Sequence, residues 1–209
     1  MTRPHPFRVS ALLCALAMTG ALSACAPLML GGAVLSSTLM ATDRRTSGTQ
    51  IEDQAIELKS QNRIRDVLGE RGHVGTTSYN RTVLIVGEVP TEADKAAVEQ
   101  AVQRVQNVRS VVNEVEMIGT SSFTSRSNDA LLTSKVKATL IDARDLSANA
   151  IKVVTERGTV YLMGRVTERE ATRATGLTRS ISGVQKVVRL FEIITEAELA
   201  ELLPRPAAK

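Results

Sequence analysis

Few side chains in these 209 residues are equipped for covalent or acid/base chemistry: two cysteines, Cys14 and Cys25, and two histidines, His5 and His73. Cys25 closes the run Leu22-Ser23-Ala24-Cys25. Its sulfur is a nucleophile that a lipid donor can alkylate, and the small residues before it let a peptidase hold the backbone extended. His73 stands alone in the turn-rich stretch 69–75, where it reads as a solvated surface residue, because histidine-based triads and zinc sites need further partners. Glu168 and Glu170 sit two apart in what reads as the first turn of a helix. That spacing aims them in different directions, so they are expected to favour the helix dipole rather than form an acid/base pair. Gly87 and Gly164 each stand alone in an apolar run, which suits a bulge or a close approach of backbones and does not make a phosphate loop. These residues supply no paired nucleophile, no metal ligand set and no cofactor loop. The expectation is a protein without a cofactor that is not an enzyme.

The residues before Cys25 explain how it would be used. Arg3 and Arg8 flank a short basic start, and residues 9–22 (VSALLCALAMTGAL) form an apolar stretch of secretory-signal length. Spanning a bilayer takes about 20 apolar residues, and this run is shorter and broken at Gly20. The ending resembles the bacterial lipobox. That resemblance implies a signal peptide over residues 1–24, removal of Cys14 with it, and acylation of Cys25 by chains such as palmitate. One chain holds a protein to a membrane only marginally, at about 0.8 kcal/mol per buried methylene, whereas several hold it stably. The inner-membrane retention signal is Asp after the cysteine; here Ala26 stands in that place, so the implied destination is the periplasmic face of the outer membrane. Residues 25–52 then read as a lipidated tether. Its apolar part, 26–42, is rich in Gly, Ser and other small residues, and a short helix lying against lipid is an open alternative there.

The rest of the chain repeats. Residues 81–118 and 158–194 can be laid over one another with one residue skipped at Pro90, so that Thr82, Val83, Gly87 and Val89 fall on Thr159, Val160, Gly164 and Val166. Val108, Val111, Val112 and Ile118 then match Val184, Val187, Val188 and Ile194, and upstream Asp53 with Ile56 matches Asp129 with Leu132. In each copy a helical period comes first, on Ile56, Ile64 and Val67 or on Leu132, Val136 and Leu140. Two apolar runs come next, 74–79 with 82–86 and 151–155 with 159–163. Asn80-Arg81 and Arg157-Gly158 mark the turns between them, so each pair predicts a hairpin. Thr91 and Thr167 are placed to cap a second helix, and residues 110–117 and 186–193 complete each unit as a strand. The prediction is α+β: two tandem α-β-β-α-β units over 53–118 and 129–194, each with two helices on a three-stranded sheet. A polar linker over 119–128 and a C-terminal tail over 195–209 account for the remainder.

The D-x-x-[IL] helix start, the [TV]-V-x-[LI]-x-G-x-V strand, the T-E helix start and the closing V-x-x-V-V strand resemble the BON domain family. With the lipobox and the spacer Asp43-Arg44-Arg45-Thr46-Ser47-Gly48-Thr49-Gln50, the chain is similar to dual-BON outer-membrane lipoproteins. The resemblance implies phospholipid binding by the second domain and a part in outer-membrane integrity.

Charge separates the two copies. Residues 53–118 hold 8 basic and 10 acidic residues, a net of −2, whereas 129–194 hold 11 basic and 7 acidic, a net of +4. At about 100° per residue, Leu132, Val136, Thr139 and Leu140 share the inward face of the second copy's first helix. Leu131, Ser134, Ala138 and Ile141 then face away with Ala130, and Lys135 and Lys137 lie on the borders. Apolar residues flanked by lysines suit an anionic lipid surface. The corresponding face of the first copy, with Gln54, Leu58, Asn62, Arg65 and Asp66, reads as solvated. An alternative is that the second helix packs against the first domain. Nucleic acid is not an expected partner: the implied compartment excludes it, and aromatics are 2% with no Trp, which leaves no stacking platform. Two functions stay open: a module binding anionic phospholipid such as phosphatidylglycerol or cardiolipin, or an adaptor docking an envelope protein, for instance one that assembles outer-membrane proteins. Cys25→Ala is expected to abolish acylation and leave uncleaved precursor. Metabolic labelling with a clickable fatty acid checks this, and equal labelling of the variant would remove the anchor.

Overall fold

The structure, a computed structural model, describes residues 43–119 and 122–202 apart from the side chain of Phe123. The signal, Cys25 and the tether as far as Thr42 lie outside the described residues, as do residues 203–209.

Each copy opens with a helix whose buried aspartate holds the following hairpin. Helix α1 runs Ser47–Leu68, with Thr46 capping its first turn, and leads to strands β1 (His73–Tyr79) and β2 (Thr82–Val89). Asp53 is 2% exposed. It accepts from the Asn80 and Arg81 backbone N–H groups, both at 2.8 Å, and from the Ser78 hydroxyl at 2.6 Å. Asn80 and Arg81 both have positive φ, 48° and 67°, the geometry of a two-residue hairpin turn that matches strand twist. The second copy repeats this: α3 spans Phe123–Asp142, and Asp129 accepts from the backbone N–H groups of Arg157 and Gly158 at 2.8 Å each. That turn joins β4 (Ile151–Glu156), entered through a single 3-10 turn at Ala148–Ala150, to β5 (Thr159–Val166).

A crossover helix and a parallel strand finish each copy. Helix α2 (Glu92–Gln103) is capped by Thr91 and leads to β3 (Ser110–Met117); α4 (Glu168–Arg179) is capped by Thr167 and leads to β6 (Lys186–Ile193). Both sheets have the hairpin antiparallel and the last strand parallel to the central one, in the orders β1-β2-β3 and β4-β5-β6. The two glycines are close-approach positions. A Cβ at Gly87, where φ is 123°, would collide with the His73 carbonyl oxygen, and one at Gly164 would collide with that of Ala150. The central strand can therefore pair closely only with glycine there.

Among the described residues, three apolar cores result. Ile56, Ile64, Val83, Ile85, Val98 and Val115 lie between helices and sheet in the first copy; Leu132, Val136, Leu140, Val160, Leu162 and Ala174 do the same in the second. Alternation along the strands turns the other residues to the opposite face. Those residues, Tyr79, Leu84 and Val86 from one sheet with Tyr161 and Met163 from the other, form a third core that joins the two sheets.

The α+β prediction and the order α-β-β-α-β match the structure, and several details differ. Helix α1 begins at Ser47, so residues 47–52 belong to it rather than to a tether. Its inward stripe runs Asp53, Ile56, Ser60, Ile64, Leu68. The last turns keep to the every-fourth-residue ridge, and Val67 is 40% exposed. Residues 123–128 of the expected linker are the first turns of α3, capped by Ser122. Within the expected tail, α5 (Glu196–Leu202) forms, and Thr195 and Glu198 bond reciprocally at its start. His73 opens β1 instead of lying in a loop. Met163→Ala, a truncation of a side chain that is fully buried, is expected to destabilise the chain by about 2–5 kcal/mol. Urea unfolding followed by circular dichroism measures this, and an unchanged midpoint would mean that the shared core contributes nothing.

Candidate functional site

The outward face of α3 carries the residues singled out in the sequence. Leu131 is 62% exposed and Ile141 66%, and Ser134, Lys135, Lys137 and Ala138 are exposed with them. Leu132, Val136 and Leu140 are buried beneath, and Thr139 is half-buried. The first domain therefore does not cover this face, which removes the packing alternative. The Ser134 hydroxyl donates to the Ala130 carbonyl at 3.0 Å, so its polarity is turned back onto the helix. Between residues 130 and 141 there is no acidic side chain. Lys137 and Ile141 border a cleft of about 280 Å³ shared with Arg45, Tyr79 and Lys152. Leu131 and Lys135 border a wider polar depression with Glu116, Arg157 and Gln185.

Helix α1 is less different than its sequence suggests. Ile51 and Leu58 are each 64% exposed, so an apolar pair interrupts the face read as solvated. The contrast lies in the charges, since Glu52, Glu57 and Asp66 are interleaved with Lys59 and Arg63 along α1.

The spacer before α1 is clamped into the fold, which the sequence pattern does not reveal. Arg44 is 8% exposed and bonds both oxygens of Glu170, at 2.7 and 2.8 Å, and the Arg165 carbonyl at 2.8 Å. Glu170 also accepts from the Thr167 backbone N–H at 3.0 Å, completing a capping box at the start of α4. It therefore does more than favour a dipole. Burial pushes the Glu170 carboxyl up, but the Arg44 and Thr167 bonds outweigh burial and hold it below the usual carboxylate range. Arg45 pairs with Asp43 at 2.7 Å and Asp53 at 2.8 Å, and stacks 4.1 Å over the Tyr79 ring. Glu168, by contrast, lies at the surface and pairs with Arg189 at 2.8 Å. The only sequence signal for these contacts is the charged triplet Asp43-Arg44-Arg45, which a tether accommodates equally well.

Among the described residues, no group of three His, Cys, Asp or Glu side chains is placed to hold a metal ion, and no helix is long and apolar enough to cross a membrane. Fold and site together define a tandem pair of small α-β-β-α-β domains joined back to back, with helices and charged surface outward. The chain belongs to the BON domain family, whose model matches residues 52–119 and 128–195. It is 35% identical over 175 residues to the outer membrane lipoprotein DolP of Haemophilus influenzae, covering 83% of this chain and 90% of that one. It is also 29% identical over 157 residues to the 21 kDa hemolysin of Actinobacillus pleuropneumoniae, covering 73% of this chain and 79% of the other. Among solved structures, the C-terminal domain of CdsD, a structural protein of the type III secretion system of Chlamydia trachomatis, gives a TM-score of 0.29 at 11% identity. That match covers 64% of this chain and 96% of the other.

Arg44→Ala is expected to cost about 3–5 kcal/mol, because it leaves the Glu170 carboxylate buried without its cation. Since the folded Glu170 carboxyl lies below its unfolded value, its stabilisation is present above about pH 4.5 and is lost as pH falls through the folded value. The gap between parent and variant in thermal unfolding should therefore narrow in acid. A gap that stays constant from neutral to acid pH would show that the pair is not its source.

Proposed function

We propose that this chain is a lipid-anchored outer-membrane lipoprotein without enzymatic activity. In this reading its second BON domain binds anionic phospholipid through α3 and supports the integrity of that membrane. The observation that carries the reading is the exposed stripe Leu131, Ser134, Ala138 and Ile141, bordered by Lys135 and Lys137 and free of acidic side chains over residues 130–141. Apolar side chains can enter the acyl boundary while the lysines meet phosphates, each basic residue contributing about 1 kcal/mol near an anionic surface. That alone is weak. Acylation at Cys25 would hold the domain at the periplasmic face and raise its effective concentration there, so a weak surface suffices. The similarity to an outer membrane lipoprotein supports the anchored part of the reading, and the net charges of −2 and +4 favour the second domain over the first.

The test uses a chain starting at residue 26 and lacking acyl groups, co-sedimented with vesicles containing phosphatidylglycerol or cardiolipin. Leu131→Glu is expected to weaken binding at any salt concentration. Lys135→Glu with Lys137→Glu should weaken it roughly thirtyfold or more at low salt, from about 1 kcal/mol for each charge lost, and less when salt screens the surface. Undiminished binding by both variants would move the reading to a protein adaptor that uses the same exposed leucine.

A further inference from the structure

Because the two copies share a fold and meet back to back, each position at one end of the junction has an equivalent at the other. At one end, the Tyr79 hydroxyl from the first hairpin accepts from the Arg165 backbone N–H of β5 at 3.2 Å. The Arg165 side chain is balanced by its register partner on β6, Glu192, at 3.0 Å. Tyr79 is the residue paired with Thr82 in its hairpin, as Glu156 is with Thr159 in the other. Glu88 holds in β2 the place that Arg165 holds in β5, and its register partner is Glu116. The counterpart end therefore brings together three carboxylates where the first end has a phenol and an ion pair.

Their surroundings make this costly. Glu88 is fully buried, with one oxygen unpartnered, and one oxygen of Glu156 is also buried and unpartnered. Arg157 is the nearby cation, with Nη1 3.4 Å from Glu88 and Nε 3.5 Å from Glu116. His73 Nδ1 lies 3.9 Å from the unpartnered oxygen of Glu88. Asp129 faces Glu156 from α3, and Glu114 and Glu116 from β3 face the Tyr161 phenol beside it. Arg71, near Glu88, is engaged by Asp94 at 2.5 Å.

We propose that Glu156 carries a proton at the junction beside the buried Glu88, and that its loss at higher pH loosens the contact between the two domains while each keeps its own core. A proton on Glu156 removes one of the like charges crowded at this end of the junction, where one of its oxygens is buried without a partner. Burial first, and then the charges of Glu88 and Asp129, push the Glu156 carboxyl up to about 7. Since this folded value is raised, the stabilisation is full below the ordinary carboxylate range and is lost as pH rises through about 7. Strand alternation puts Glu88 on the face of Leu84 and Val86, and Glu156 on that of Val154, toward the shared core and away from the helix-covered ones, so the junction opens before the domains do.

The chain carries its own reporter, because its two tyrosines, Tyr79 and Tyr161, both lie in the shared core and there is no tryptophan. Both phenols are pushed above their ordinary range, by burial foremost, so they stay protonated in the experiment. The full acylated chain in detergent is titrated from about pH 5 to about pH 9, with near-ultraviolet circular dichroism of the tyrosines as readout and the far-ultraviolet signal as a check on the fold. The tyrosine signal should fall with a midpoint near 7 while the far-ultraviolet signal holds. Glu156→Gln, which imitates the protonated acid, should keep the tyrosine signal at its acid value throughout, and Glu88→Gln should move the midpoint to lower pH. An independent readout on the unaltered chain is the infrared band of a buried protonated carboxyl, which should vanish over the same range. A flat tyrosine signal in the parent, a Glu156→Gln variant that titrates like the parent, or no such infrared band would each overturn the proposal.

Discussion

Asp53 and Asp129, buried in the first helix of each copy, each bind the two backbone N–H groups of a hairpin turn at 2.8 Å, and the placement of helix on sheet depends on those bonds. The turn residues are held at positive φ, where three of the four carry a side chain, so the turn needs an outside acceptor to offset its conformational cost. Because the aspartate is fixed on the helix, the bond also fixes the helix's rotation against the sheet. Asp129 inward places Leu132 and Val136 inward, one and two turns on, and that leaves Leu131 and Ile141 outward. The exposed face of α3 is thus a consequence of how its hairpin is held.

The same constraint governs the junction. With helices pinned to one face of each sheet, the alternate strand residues must find another cover, and the two sheets cover one another through Leu84, Val86, Tyr161 and Met163. Ion pairs rim this core: Lys152 with Glu57 at 2.7 Å, and Arg109 with Glu192 at 3.5 Å. Both pairs are partly exposed and contribute little each. The Arg44 pair with Glu170 is different, because it is buried and spans 126 residues. It ties the segment before the first domain to the second domain, so the chain closes on itself around the junction.

Much of one domain was legible in the sequence. Periodicity located both hairpins, Thr91 and Thr167 fell at the caps of α2 and α4, and residues 110–117 and 186–193 coincide with β3 and β6. Repetition helped, since an ambiguous run in one copy is clear in the other. The outward face of α3 was legible for the same reason: a helix of known phase has a predictable far side. The junction was not, because Leu84 and Tyr161 alternate with core residues in runs apolar throughout, and such runs do not say what covers their second face. Nor did the sequence show Arg44 meeting Glu170, since no local pattern marks a partner 126 residues away. Residues 123–128 read as a linker because Phe123-Thr-Ser-Arg-Ser-Asn has linker composition, yet the segment is helical as the first turns of a longer helix packed farther along.

Duplication also explains why the two copies diverge where they do. The positions kept alike, Asp53 with Asp129, Gly87 with Gly164 and Val83 with Val160, maintain the hairpin, the close strand pairing and the helix-covered core, so each copy needs them independently. Positions facing the other copy are freed from that demand and constrained by a different one, complementarity across the junction. Glu88 against Arg165 is the clearest case: the same place in the fold, opposite charges, and register partners Glu116 and Glu192 that are the same residue type. In the second copy that arrangement closes an ion pair within one sheet; in the first it leaves like charges side by side, with Arg157 reaching across from the second copy at 3.4 Å. The first copy's central strand thus depends on the second for its counter-charge, and the asymmetry holds the two as an ordered pair rather than as interchangeable repeats.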